Sequence, residues 1–150
     1  MSEQIHSIFL GDFGEYLLTW HLRSKYGVIA SPMKTQGIDL LCRDETGKLF
    51  PAGRYIAISI KTRERKKQRA RDYVNVDWEK IKEASKRWDA LPYYAYIRII
   101  PELGTISFYL LAVGKAETYS KNFNVRKAES DPTNLLFEMS FNPYPRLDNW

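Results

Sequence analysis

Asp39 follows Gly37 and Ile38 at the head of an apolar run, and a second apolar run ends in Ser59-Ile60-Lys61. Ahead of both stands Glu15, at the end of Gly11-Asp-Phe-Gly-Glu15. Two carboxylates and a nearby backbone carbonyl make a hard, oxygen-rich pocket of the kind Mg²⁺ prefers. A lysine beside such a pocket can stabilise negative charge building on a phosphate, or orient the attacking water. Each residue also has a plainer use. Glu15 fits as the capping-box partner of Asp12, Asp39 as a turn residue, and Lys61 as the first residue of a basic loop.

The elements that must position these groups can be read from local pattern. Asp12 is predicted to cap a helix that runs to about Lys25 and stops at Gly27, with Glu15, Leu18, Thr19 and Leu22 on its inward stripe. Residues 37–43 and 54–61 read as strands joined through the turn signal Asp-Glu-Thr-Gly at 44–47, and they can pair as an antiparallel hairpin. Alternation then puts Ile56, Ile58 and Ile60 on a core face and Tyr55, Ala57, Ser59 and Lys61 on the other. On the first strand it separates Asp39 and Leu41 from Ile38, Leu40 and Cys42. Residues 73–76 form a short extended piece. Asp77 caps a helix to about Trp88, its buried stripe being Ile81, Ala84, Ser85 and Trp88, and Leu91-Pro92 ends it. Residues 93–100 and 105–113 make a second hairpin around Pro-Glu-Leu-Gly, and residues 134–141 read as one more strand. The order α-β-β-(β)-α-β-β predicts a mixed α/β fold. The 150 residues suit a single domain, 1–150.

Composition narrows the class. With 44% apolar and 27% charged residues the chain reads as a globular protein, and no apolar run approaches the roughly 20 residues of a membrane helix. The N-terminus has no secretion-signal pattern. Cys42 is the single cysteine, which excludes an internal disulfide and a cysteine-rich zinc site. A cytoplasmic, intracellular protein is expected. The net charge of +5 is concentrated: residues 61–71, KTRERKKQRAR, carry +6, so the other 139 residues sum to −1. One basic patch suits a polyanion, because neutralising phosphates releases counterions, and it also suits a solvated loop. Its cations, Arg63, Arg65, Lys66, Lys67, Arg69 and Arg71, are the candidate DNA contacts.

Taken in order, Gly-Glu15, Gly-Ile-Asp39 and an apolar strand ending in Lys61 resemble the PD-(D/E)XK nuclease superfamily, the fold of many restriction enzymes and of archaeal Holliday-junction resolvases. The resemblance extends through the helix at 77–88 and the strand at 93–100, about two thirds of the chain. It implies a restriction-endonuclease-like α-β-β-β-α-β core with extra C-terminal strands. It also implies Mg²⁺- or Mn²⁺-dependent hydrolysis of double-stranded DNA. By the same resemblance Glu15, Asp39 and the carbonyl of Ile60 are metal ligands and Lys61 is the catalytic lysine. Ser59 departs from the pattern, since the family places an acid there and a hydroxyl binds Mg²⁺ far more weakly. Glu15 could supply the displaced charge, Glu79 or Glu83 could reach in from the following helix, or cleavage could be lost and binding kept. The length, the basic run and the serine are also similar to cyanobacterial intron-encoded homing endonucleases of this fold, which implies a homotetramer. Two sites for two strands would suit a homodimer equally. A Holliday-junction resolvase and a non-cleaving DNA-binding relative stay open as alternatives.

Overall fold

The computed structural model describes residues 3–66 and 72–141. The chain runs α1 (Glu3–Tyr26), β1 (Ile29–Thr35), β2 (Ile38–Arg43), β3 (Tyr55–Glu64), β4 (Tyr73–Val74) and α2 (Trp78–Lys86). It continues through β5 (Leu91–Ile100), β6 (Thr105–Ala112), α3 (Val113–Tyr119), β7 (Phe123–Asn124), α4 (Val125–Glu129), a 3₁₀ turn (Pro132–Asn134) and β8 (Leu135–Ser140). The fold is mixed α/β, with the expected α-β-β-β-α-β order and further strands after it. Six strands form one sheet in the order β1-β2-β3-β5-β6-β8, while β4 and β7 make a small ribbon of their own. All pairings in the large sheet are antiparallel except β3 with β5. That parallel pair needs a crossover, and α2 lies within it.

Each face of the sheet has its own core. Leu18 and Leu22 of α1 pack with Leu40, Cys42, Ile56, Ile58, Ile97 and Phe108 on one side. Trp78 and Ile81 of α2 gather on the other with Tyr94, Tyr96, Tyr109, Val113 and Phe123. A smaller cluster joins Ile38 and Ala57 to Ala84 and Ala90. The isoleucine face of β3 is therefore core as expected, and Ala57 on the other face is buried as well.

Several expectations need correction. α1 begins at Glu3, so Asp12 is an exposed residue inside the helix, and neither it nor Glu15 forms a capping box. The C-terminal end is as expected. Gly27 has φ +66° and its N–H donates to Arg23 O, the five-to-one bond of an αL cap, while Val28 N–H donates to Leu22 O at 3.1 Å. β1 has no counterpart among the expected strands. Ile38, Leu40 and Cys42 are the buried positions of β2, as alternation requires, but Ile38 packs beneath α2 in a different cluster from Leu40 and Cys42. Asp77 does cap α2, accepting from Lys80 N–H at 3.1 Å. The helix stops at Lys86, however, and Trp88 sits 44% exposed in the following turn, while Trp78 takes the buried place. Leu91-Pro92 begins β5 rather than ending the helix. The region after residue 113 supplies α3, β7 and α4, which complete the second core, and β8, whose Leu136, Phe137 and Met139 pack against the first. The tail at 142–150 lies outside the described residues.

Candidate functional site

The β2–β3 ladder pairs Arg43 with Tyr55 and continues to Leu40 with Ile58, where it stops. Beyond that point a side chain takes over, because Ile60 N–H donates to Asp39 Oδ2 at 2.7 Å. A carboxylate thus fills the place of a ladder carbonyl, through one of its two oxygens. Gly37 makes this approach possible. At φ +91° it has a conformation L side chains rarely adopt, and a Cβ there would lie 3.0 Å from both Ala84 Cβ and Lys80 O. The turn that delivers Asp39 rests directly on α2.

Glu15 arrives from α1, and Gly14 explains how. A Cβ on Gly14 would stand 2.1 Å from Thr62 Oγ1 and 3.0 Å from Ile97 Cδ1. Helix and sheet therefore touch through hydrogen atoms at this point, over the central strands β3 and β5, and the next residue is held half-buried. Glu15 has its pKa raised by burial, then by the charges of Asp39 and Asp12. Asp39 is raised by burial, against which the Ile60 N–H and Lys61 pull down. Lys61, also half-buried, is lowered by burial and by Arg63, with Asp39 opposing. All three groups are pushed towards neutrality. That is the signature of charges held close together with too little solvent or counter-charge.

The structure thus brings Glu15, Asp39, the Ile60 backbone and Lys61 to one place. Ser59 is half-buried next to them, in register with Tyr94 on β5, and contributes no charge. Among the described residues no three His, Cys, Asp or Glu side chains gather into a metal-binding group. A cation here would rest on two carboxylates, with backbone or hydroxyl oxygen in support. The donor set suits a hard divalent ion, and two mutually repelling carboxylates would be relieved by one. Glu79 is on the solvent side of α2, paired with Lys82 at 3.2 Å, and Glu83 is exposed too.

The basic run divides. Arg63 stays on β3 on the strand face of Lys61, two residues along. Arg65 turns inward: its Nε donates to Asp72 at 3.1 Å, and its backbone N–H donates to Ile99 O. Asp72 also faces Arg98, 3.8 Å away, which is tied to Glu129 and to the Tyr109 hydroxyl. This network is not visible from sequence, because its members are spread from residue 65 to residue 129. Lys66 is exposed, and Lys67, Arg69 and Arg71 lie outside the described residues.

No protein-family model matches the chain, and no curated protein matches it. Among solved structures it is similar to Hjc of Archaeoglobus fulgidus, a Holliday junction resolvase from an archaeal hyperthermophile. The match has 20% sequence identity and a TM-score of 0.49, and it covers 76% of this chain and 86% of that one. None of the described helices is long and apolar enough to cross a membrane.

Proposed function

We propose that the chain is a metal-dependent nuclease that hydrolyses phosphodiester bonds in double-stranded DNA, working from one domain and in more than one copy. The observation that carries this reading is the parting of β2 and β3. There Asp39 holds the Ile60 N–H, Glu15 faces Asp39, and Lys61 projects beside them. Glu15, Asp39 and the Ile60 carbonyl would hold Mg²⁺ or Mn²⁺, which supplies Lewis acidity and charge neutralisation at the phosphate. Lys61 donates to a phosphate oxygen as charge accumulates there. Its lowered pKa makes proton donation easier than for a solvated lysine. Asp39 is fixed by the Ile60 N–H, so its free oxygen needs no reorganisation to meet a ligand. Ser59 adds a hydroxyl in place of the third acid. Arg63, Lys66, Lys67, Arg69 and Arg71 provide the salt-dependent attraction to the duplex.

Site-specific cutting of duplex DNA, of the homing or restriction kind, is the finer reading, and it is tested together with its rivals. Plasmid, linear duplex and a synthetic four-way junction are incubated with Mg²⁺ and the wild-type protein, Lys61→Ala or Asp39→Asn. Discrete duplex fragments from wild type alone support the proposal. Cutting confined to the junction moves the substrate to branched DNA. Substrate left intact throughout, with binding retained, reduces the protein to a DNA-binding relative.

A further inference from the structure

α1 is apolar on two opposite sides. Gly14, Leu18 and Leu22 face the sheet. Half a turn round the helix, Phe9, Phe13, Tyr16 and Trp20 stand 61%, 46%, 73% and 53% exposed. At 100° per residue these four fall within one narrow stripe pointing directly away from the protein body. A helix with apolar residues on both sides is normally covered on both. Four aromatics in one row exceed the scattered single residues that a monomer surface tolerates.

The spacing identifies the occupant. Intervals of 4, 3 and 4 residues form the seam along which one helix packs on another. They also read the same in both directions about a centre between Phe13 and Tyr16, so an antiparallel copy can meet the row in register across a two-fold axis at that point. An antiparallel second copy sets Phe13 against Tyr16 of the partner subunit, and Phe9 against Trp20 of the partner subunit. A groove of about 410 Å³ lined by Tyr16, Thr19, Trp20, Arg23 and Ser24 lies where the incoming Phe9 would seat. Aromatic side chains carry about 150–250 Å² each. Four at roughly half exposure therefore offer some 400 Å² per copy, and with flanking side chains the pair approaches the roughly 1,000 Å² of a specific interface. Nucleic acid is disfavoured as occupant, because the charged residues between Phe9 and Trp20 are Asp12 and Glu15.

We infer that the outer face of α1 is a self-association surface, on which two copies of this chain pair antiparallel through Phe9, Phe13, Tyr16 and Trp20. The inference stands whether or not the protein cleaves DNA, and its test contains no DNA. Light scattering after size exclusion is run on wild type, Phe13→Lys, Tyr16→Glu and the double variant. Far-UV circular dichroism confirms that each is folded. Each single variant should halve the wild-type assembly mass, since it removes an aromatic from the seam and leaves an unpaired charge to be desolvated there. The double variant should recover the wild-type mass, because the ammonium introduced on one copy then faces the carboxylate introduced on the other. A second route keeps the test open should a charged variant misfold: Phe13→Cys with Tyr16→Cys should cross-link between copies on mild oxidation, Cys42 being buried. A wild type that runs as a monomer at micromolar concentration, folded single variants that keep full mass, or absence of cross-linking would each overturn the inference.

Discussion

Two aspartates stand at opposite ends of β2, and the protein uses them in opposite ways. Asp44, just past the end, is fully buried, and its carboxylate accepts five bonds: from Thr46 N–H, Thr46 hydroxyl and Gly47 N–H, and from Leu49 and Phe50 N–H at 2.8 and 3.0 Å. Those donors outweigh the cost of burial and hold its pKa well below the carboxylate range. Asp39, near the start, accepts one bond, and burial dominates, so its pKa moves up. A carboxylate saturated with donors is structural and chemically closed. One that is desolvated but under-coordinated has capacity left for a ligand. The same residue type, five positions apart, is thus sorted by the number of N–H groups aimed at it.

Substitution should separate the two roles. Asp39→Asn keeps the shape and removes the charge. Cleavage should fall by about 10²–10⁴-fold, the usual span for a lost catalytic group, with the melting temperature nearly unchanged. Asp44→Ala should do the reverse. It strands buried donors at about 1–3 kcal/mol each, and water entry offsets part of that, so a net loss of about 3 kcal/mol is expected. Residual activity below the melting point should be near wild type. Cleavage assays beside thermal unfolding decide it, and equal effects of both variants on both readouts would break the comparison.

How much of this is legible in the sequence follows from how local each signal is. The β2–β3 hairpin and its core face are readable, because alternation and a turn motif act over a few residues. β1 is hidden by Ser31-Pro32, which reads as a breaker. As an edge strand, β1 has one side without a ladder, where a proline is tolerated. The start of α1 is misread because Asp12 and Glu15 satisfy a local capping pattern, whereas the helix is set by tertiary contact of Gly14, Leu18 and Leu22 with the sheet. The Arg65–Asp72–Arg98 network has no local signature at all. Among the candidate site residues, their order is visible. What positions them, namely Gly14 against Thr62 and Gly37 against Ala84, belongs to packing between distant elements.

Gly14 offers the next sharpest test, since it governs Glu15 without touching the chemistry. Gly14→Ala should drive α1 off β3 at an overpacking cost of about 1–3 kcal/mol and weaken cleavage as Glu15 retreats. Among the described residues Thr62 Oγ1 is buried without a hydrogen-bond partner. Adding Thr62→Ala should therefore return part of both losses, a coupling that a double-mutant cycle in stability and rate would register. Strict additivity would count against contact-controlled placement of Glu15.

Metal response is a smaller effect that needs no turnover. If Mn²⁺ or Mg²⁺ binds the folded state at Glu15 and Asp39, a concentration about 100-fold above Kd adds about 2.7 kcal/mol. For a chain of this length that is a rise of roughly 5–10 °C in melting temperature. Asp39→Asn and Glu15→Gln should lose the rise, and Asp44→Asn should keep it from a lower baseline. A rise of equal size in all four proteins would place the ion elsewhere.

The smallest effect is pH dependence in metal-free protein, and here the two aspartates should differ in sign. Asp39 and Glu15 have folded pKa values above their ordinary 3.8 and 4.5. As pH climbs past those values the unfolded chain gives up its protons first, so the folded state binds more protons and stability falls. The stabilising contribution is present at lower pH and is lost as pH rises through the folded values. Asp44 is depressed from 3.8. Its contribution is present above that pH and is lost as pH falls towards the folded value. Denaturant unfolding across the acidic range should show Asp39→Asn flattening the decline on the upper side and Asp44→Asn flattening the loss on the lower side. Divalent cation should reverse the first slope, because it binds the charged carboxylates and makes their ionisation favourable on folding, and it should leave the second untouched. A cation that altered both slopes alike would mean that Asp44 is not closed to ligands, and the distinction between the two carboxylates would fail.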